Sequence, residues 1–277
     1  MRSRGAGRRR TAALVALLLV VAIACGTLLA AGCTVQPGSA GSVTGSGNAV
    51  AKVYDSSGFT RVRLDNTCDA TVTRGDTFLV DVTVDDNVAQ HLVVEVKGDT
   101  LHIGLDPSYG YSDITLKAQV VMPDLQGLEL SGAALAGVSG FSSDSPLQLE
   151  LSGSSRANLR DMRSGDVTFE ISGASSLSGE LRSRELKGEA SGASRAGLEG
   201  SGTTAEVEAS GGSSLGLRFF AVGDADVELS GGSRGQVRVS STLNADVSGG
   251  SQLDYFGSPT LGNVDVSGGS ELNRAAD

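Results

Sequence analysis

From Leu128 to the end of the chain, apolar and polar residues alternate in short bursts, and each burst stops at a Ser-Gly pair. The residue before each of these serines is Leu130, Leu151, Ile171, Ala190, Ala209, Leu229, Val247 or Val266. Two positions earlier stand Leu128, Leu149, Phe169, Gly188, Val207, Val227, Ala245 and Val264. Residues two apart on a strand share a face, so both columns point inward. Five residues after each motif serine lies a third inward column: Ala136, Ala157, Leu177, Ala196, Leu215, Gly235, Leu253 and Leu272.

The motif serines themselves are Ser131, Ser152, Ser172, Ser191, Ser210, Ser230, Ser248 and Ser267, spaced 18 to 21 residues apart. A fixed period near 20 marks a solenoid, because one such unit cannot bury its apolar face alone. The pattern predicts an all-β fold: a parallel β-helix of about eight coils over residues 128–277, its eight corners spanning roughly 34 Å at strand spacing. The glycines Gly132, Gly153, Gly173, Gly192, Gly211, Gly231, Gly249 and Gly268 are expected at the corners. A sharp bend needs a backbone conformation that a Cβ opposes, and stacked identical corners leave no room for bulk.

Residues 49–127 lack the tetrapeptide but alternate strongly, as in Leu79-Val80-Asp81-Val82-Thr83-Val84 and Leu92-Val93-Val94-Glu95-Val96. Arg74-Gly75-Asp76 and Lys97-Gly98-Asp99 are turn signals between such runs. No window shows a helical period, so this part reads as a β-strand-rich N-terminal region preceding the coils.

One polar column stands out. Two before each motif serine come Glu129, Glu150, Glu170, Glu189, Glu208, Glu228, Asp246 and Asp265, all acidic in a chain with 32 Asp+Glu among 277 residues. Alternation places them outward in single file, at about 4.8 Å from rung to rung. Like charges that close repel by about 1 kcal/mol even in water. Two readings stand side by side. The stripe keeps a flat sheet soluble and unpaired, or it is a ladder for Ca²⁺ or a cationic polymer, although the ligand spacing of calcium loops is absent. Arg156, Arg195 and Arg234, four after the motif serine on alternate coils, are placed to relieve some of the repulsion.

The first 33 residues read as targeting signal. Arg2, Arg4, Arg8, Arg9 and Arg10 precede an apolar stretch that ends in Leu29-Ala30-Ala31-Gly32-Cys33. That ending resembles the lipobox of bacterial lipoproteins, which makes Cys33 the lipidation site; a plain signal peptide or a membrane anchor is the alternative. Residues 34–48 are rich in Gly, Ser and Thr and read as a flexible linker. Cys68 is then the lone cysteine of the folded part, in a half-buried strand position, so no internal disulfide is expected. Five of the 22 Lys+Arg fall before Cys33, leaving 17 against 32 acids, a net charge of −15. Such a balance argues against nucleic-acid partners.

Nothing assembles a catalytic set. Both histidines, His91 and His102, precede the repeats, and eight equivalent serines are a packing pattern rather than a nucleophile. Phe219, Phe220, Tyr255 and Phe256 are the only aromatic residues of note in the last coils, and they read as core or cap.

Several stretches together resemble the bacterial "putative auto-transporter adhesin head GIN domain" family. They are Phe59-Thr60-Arg61-Val62, Ala70-Thr71-Val72-Thr73-Arg74-Gly75-Asp76, the run Leu92–Leu101, Val121-Met122-Pro123-Asp124-Leu125, and Leu128-Glu129-Leu130-Ser131-Gly132-Ala133 with the SGAS-like coils after it. The resemblance covers about residues 55 to 273. It implies a secreted or lipid-anchored β-helical protein and brings no catalytic motif. The expectation is an extracytoplasmic lipoprotein of the cell envelope, bound to its membrane through the N-terminal lipid. It would act without enzymatic activity by binding a cell-wall or surface glycan or protein. A structural role, with self-association through an open C-terminal end, comes next, and a carbohydrate-active enzyme last. No cofactor is expected beyond Ca²⁺ at the acidic ladder.

Overall fold

The computed structural model describes residues 41–276. The signal segment, Cys33 and the first part of the linker lie outside them. Among the described residues, no helix is long and apolar enough to cross a membrane.

The chain winds as a parallel β-helix. Each rung has a leading strand that ends one residue before the tetrapeptide and a trailing strand that starts after it. The leading strands Gly127–Leu130, Leu147–Leu151, Val167–Ile171, Glu185–Ala190 and Thr204–Ala209 pair in that order, all parallel. The column continues through the C-terminal halves of Ser214–Leu229 and Arg234–Val247 and ends at Thr260–Val266. The trailing strands run beside it from Leu135–Ser139 through Arg156–Arg163, Ser176–Arg182 and Arg195–Ser201 to Gln252–Gly257 and Glu271–Arg274.

Register follows the sequence columns. Leu130 pairs with Leu151, Leu151 with Ile171, and Ile171 with Ala190, and all four are buried. Gly188 interrupts an otherwise larger column because a Cβ there would run into the ring of Phe169, one rung away. One rung's large residue is thus paired with its neighbour's smallest one, which keeps the core filled without overpacking.

The corners are held in two ways. Gly153 has φ +75, and a Cβ there would lie 2.5 Å from the carbonyl oxygen of Gly132 on the rung before. The last residue of the tetrapeptide turns inward instead: Ser155, Ser175, Ser194, Ser213, Ser233 and Ser251 are buried at 2% exposure or less. The hydroxyls of Ser155, Ser194, Ser213 and Ser233 donate to corner carbonyls, as Ser213 Oγ does to Ser210 O (2.7 Å) and Ala190 O (3.0 Å). Further along, Ser251 Oγ accepts the backbone N–H groups of Gly232 and Ser233. Buried hydroxyls are tolerable only with such partners.

The N-terminal part is woven into the same solenoid rather than set before it, so residues 127 and 128 mark no boundary. Arg61–Leu64 pairs parallel with Gly127–Leu130, and Asp69–Arg74 with Leu135–Ser139. The residues between, Asp65-Asn66-Thr67-Cys68, therefore stack on Ser131-Gly132-Ala133-Ala134 and form a ninth corner. Asn66 takes the glycine's left-handed conformation (φ 66), and its carbonyl accepts from Ala133 N–H at 2.6 Å. Asn tolerates this region better than other side-chain-bearing residues. Cys68 takes the buried serine's place and is fully buried, not half-buried. One further rung, Thr100–Leu105 with Leu116–Met122, stacks beyond this one, so the chain visits the second rung before the first. Antiparallel strands then close this end: Leu79–Asp85 on Leu116–Met122, Ala49–Tyr54 on Leu79–Asp85, and Leu92–Lys97 on Thr100–Leu105.

The stretch read as linker is also bound from Ser42 onward. Ser42–Thr44 pairs parallel with Gly110–Ser112, and Asn87 Nδ2 donates to Thr44 O at 2.8 Å. Gly/Ser composition signals weak intrinsic order, and backbone pairing to a neighbouring strand overrides it.

Candidate functional site

The acidic column is in register over its whole length: Glu129–Glu150–Glu170–Glu189–Glu208–Glu228–Asp246–Asp265, each paired directly with the next. With the motif serines it lines an open groove of about 390 Å³ that runs from Glu129 and Ser152 to Asp246 and Ser248. The carboxylates form the outward row of the leading strands and the serines stand at the corner, so the groove follows the edge where strand meets turn.

Its two ends differ. At the N-terminal end the column continues into Arg63, His102 and Glu95, which stand in register with Glu129. Arg63 Nη1 lies 3.2 Å from Glu129 Oε1, and its Nε lies 3.2 Å from Asp65 Oδ2. Asp65 also meets His102 Nε2 at 2.7 Å and accepts from Ser131 Oγ at 2.7 Å. Burial pushes the Asp65 carboxyl up. The hydrogen bonds from His102 and Ser131 and the charge of Arg63 outweigh that and hold it down at about 2.

Further along, no Lys or Arg among the described residues lies within ion-pair distance of Glu170, Glu189, Glu208 or Glu228. Arg156, Arg195 and Arg234 make no ion pair with the column, because they start the trailing strands on the far side of the corner. The strain shows at mid-groove: partial burial, then the charges of Glu228, Glu189 and Glu206, raise the Glu208 carboxyl above its ordinary value. No group of three or more carboxylate, histidine or cysteine side chains among the described residues converges on one point as a metal cage would. The single file presents one carboxylate per rung to a partner that runs along it.

The aromatic residues divide. Phe220 and Phe256 are buried at 1% and 3%, Tyr255 is half-buried against the core, and Phe219 is 62% exposed. The sequence columns give no sign of this, because Phe219 sits in a bulge. Leu217 and Ala221 are four apart on their strand, yet they pair with the adjacent Val237 and Arg238.

Residues 58–259 match the family described as "Putative auto-transporter adhesin, head GIN domain". No curated protein matches. Similar solved structures include a putative adhesin from Parabacteroides merdae, with TM-score 0.72, 18% identity, and coverage of 83% of this chain and 98% of that one. A putative adhesin from Parabacteroides distasonis gives TM-score 0.75 at 19% identity, covering 83% and 99%. A protein from the same organism described as a putative lipid binding protein gives 0.73 at 17%, covering 84% and 99%. At these identities the likeness is one of fold.

Proposed function

Starting from a chain that belongs to the putative auto-transporter adhesin head GIN domain family, we propose that this protein is an adhesin-like binding module of the bacterial cell envelope. It is held at the membrane by a lipid on Cys33 and carries out no catalysis. The observation that supports this reading is the groove: seven carboxylates in register from Glu129 to Asp246, flanked by serine hydroxyls. A rigid row of acids at strand spacing suits a linear partner with recurring positive charges, since each rung adds one weak contact and the rungs add up. An exposed carboxylate pair contributes little by itself, so length supplies the affinity.

The test is titration of soluble residues 34–277 against cell-wall fractions, envelope glycans and a cationic polymer such as poly-lysine, with and without Ca²⁺. Saturable binding that weakens with salt and is lost in the triple variant Glu170→Gln, Glu189→Gln, Glu208→Gln supports the groove. Binding unchanged in that variant removes the groove from the mechanism. Dependence on Ca²⁺ assigns the ladder to a bridged contact.

A structural, self-associating role is favoured by one observation. On the last leading strand Leu261, Val264 and Val266 are 40 to 45% exposed where earlier rungs bury the same columns. Sedimentation showing a concentration-independent monomer excludes it.

A further inference from the structure

A second, oppositely charged feature lies at the bulge of the trailing strands. Arg218, Phe219 and Phe220 are the extra residues that the strand Ser214–Leu229 carries against the next rung. Bulges of this kind re-aim side chains and recur beside binding sites. Phe220 turns into the core, and Phe219 is pushed out to 62% exposure.

The Arg218 guanidinium lies between two rings, 5.4 Å from the centroid of Phe219 and 4.6 Å from that of Phe256. Arg238, one rung on, lies 5.7 Å from Phe256, and its Nε donates to the carbonyl of Arg218 at 3.0 Å. Arg274 reaches the same corner from the last trailing strand, where its Nε donates to Gly257 O at 3.2 Å. Three guanidinium groups thus gather within a residue of Phe256 on a chain of net charge −10. Arg218 and Arg274 take no carboxylate partner among the described residues, and Arg218 Nε is buried with no hydrogen-bond partner. The carboxylate nearest in register to Phe219 is Glu199, on the preceding rung, and it forms no ion pair with Arg218.

We propose that this corner is a binding site for an acidic saccharide, a sugar ring bearing a carboxylate. The exposed face of Phe219 offers a flat apolar platform for the C–H face of a pyranose ring. The Arg218 fork, fixed by its two aromatic neighbours, supplies a bidentate partner for the carboxylate, and Arg274 adds positive field. Restraint by the rings is what makes this arginine more than a surface charge, because little of its freedom is lost on binding. The site is independent of the acidic groove and does not rest on its partner.

The experiment uses tri-galacturonate and its methyl ester as probes against soluble residues 34–277, followed by calorimetry at about 0.15 M salt, where the Debye length of roughly 8 Å screens the remote acids. The acid is expected to bind saturably and the methyl ester at least about tenfold more weakly. Phe219→Ala, which removes the exposed platform and one of the two rings beside Arg218 but no core side chain, is expected to weaken the acid about tenfold with the melting temperature unchanged. Arg218→Lys keeps the charge, loses the fork, and is expected to abolish discrimination between acid and ester. Three results would overturn the proposal: no binding of the acid by the parent protein, equal binding of acid and ester, or full binding by Phe219→Ala. Loss of binding to tri-galacturonate with retention of poly-lysine binding separates this site from the groove.

Discussion

At the scale of single residues, the corners decide what the chain tolerates. Gly153 and Gly250 both have positive φ, but a Cβ at Gly153 meets the Gly132 carbonyl whereas at Gly250 it meets nothing within 4 Å. Gly153→Ala is therefore expected to lower unfolding free energy by at least about 2 kcal/mol, and Gly250→Ala by only about 1 kcal/mol. Equal losses by urea titration would show that the stacking contact is irrelevant. The ninth corner shows the rule and its limit. Asn66 supplies the left-handed turn without glycine, and Cys68 fills the serine's place, so Asp65-Asn66-Thr67-Cys68 was illegible to any search for Ser-Gly although it does the same job. Burial, then the charges of Asp69 and Asp65, push the Cys68 thiol up to about 12. Native protein is expected to leave it unreacted with a thiol reagent at pH 8, with reaction appearing only in denaturant.

At the scale of strands, the acidic column was readable to the residue because the side-chain period of a strand is exact and a one-residue slip would have buried every acid. The bulge at Arg218 to Phe220 was not readable, since its three extra residues change which side chain faces out without altering composition. The column and its N-terminal end respond oppositely to acid. Glu208 titrates above its unfolded value, so its charge destabilises the fold at neutral pH, and that cost is relieved as pH falls through the raised value toward 4.5. Asp65 titrates at about 2 against 3.8 unfolded, so its contribution is complete above 3.8 and is lost as pH falls through that interval. Melting temperature is expected to rise as pH is lowered from 7 toward 4.5 and to drop below about 3.8. In Glu208→Gln the rise shrinks, and stability at pH 7 improves by less than about 1 kcal/mol, a gain that fades in 1 M salt. In Asp65→Asn the drop below 3.8 flattens. A parent protein whose stability falls steadily from pH 7 downward would contradict the groove's electrostatics.

For the whole molecule, the repeats made the parallel winding legible, but not the order in which the first rungs stack, because that order depends on which strand edges remain free once 127–130 has chosen Arg61–Leu64 as its neighbour. The result is a solenoid whose two ends are unequal. At one end, antiparallel strands cover the first rung's edges, and Val80, Val82, Val120 and Leu101 are fully buried. At the other, every residue of Thr260–Val266 is exposed, and Leu272 is only partly buried against the core. In a stack where each rung contacts only its neighbours, stability is a sum of rung and interface terms, and a rung with one neighbour has lost half of its interface. Opening of the last rung therefore costs less than global unfolding, while a rung in the middle opens only with the whole. Hydrogen exchange is expected to run fastest through Thr260–Val266 and Glu271–Arg274. It should be slowest through Leu147–Leu151 and Val167–Ile171, with the antiparallel-capped Leu116–Met122 closer to the middle than to the far end. If the terminal leading strand proves as protected as the middle at low protein concentration, the local-opening account fails. If protection there appears only as concentration rises, the exposed Leu261, Val264 and Val266 are being covered by a second copy, and the self-associating reading gains the support that a monomer would deny it.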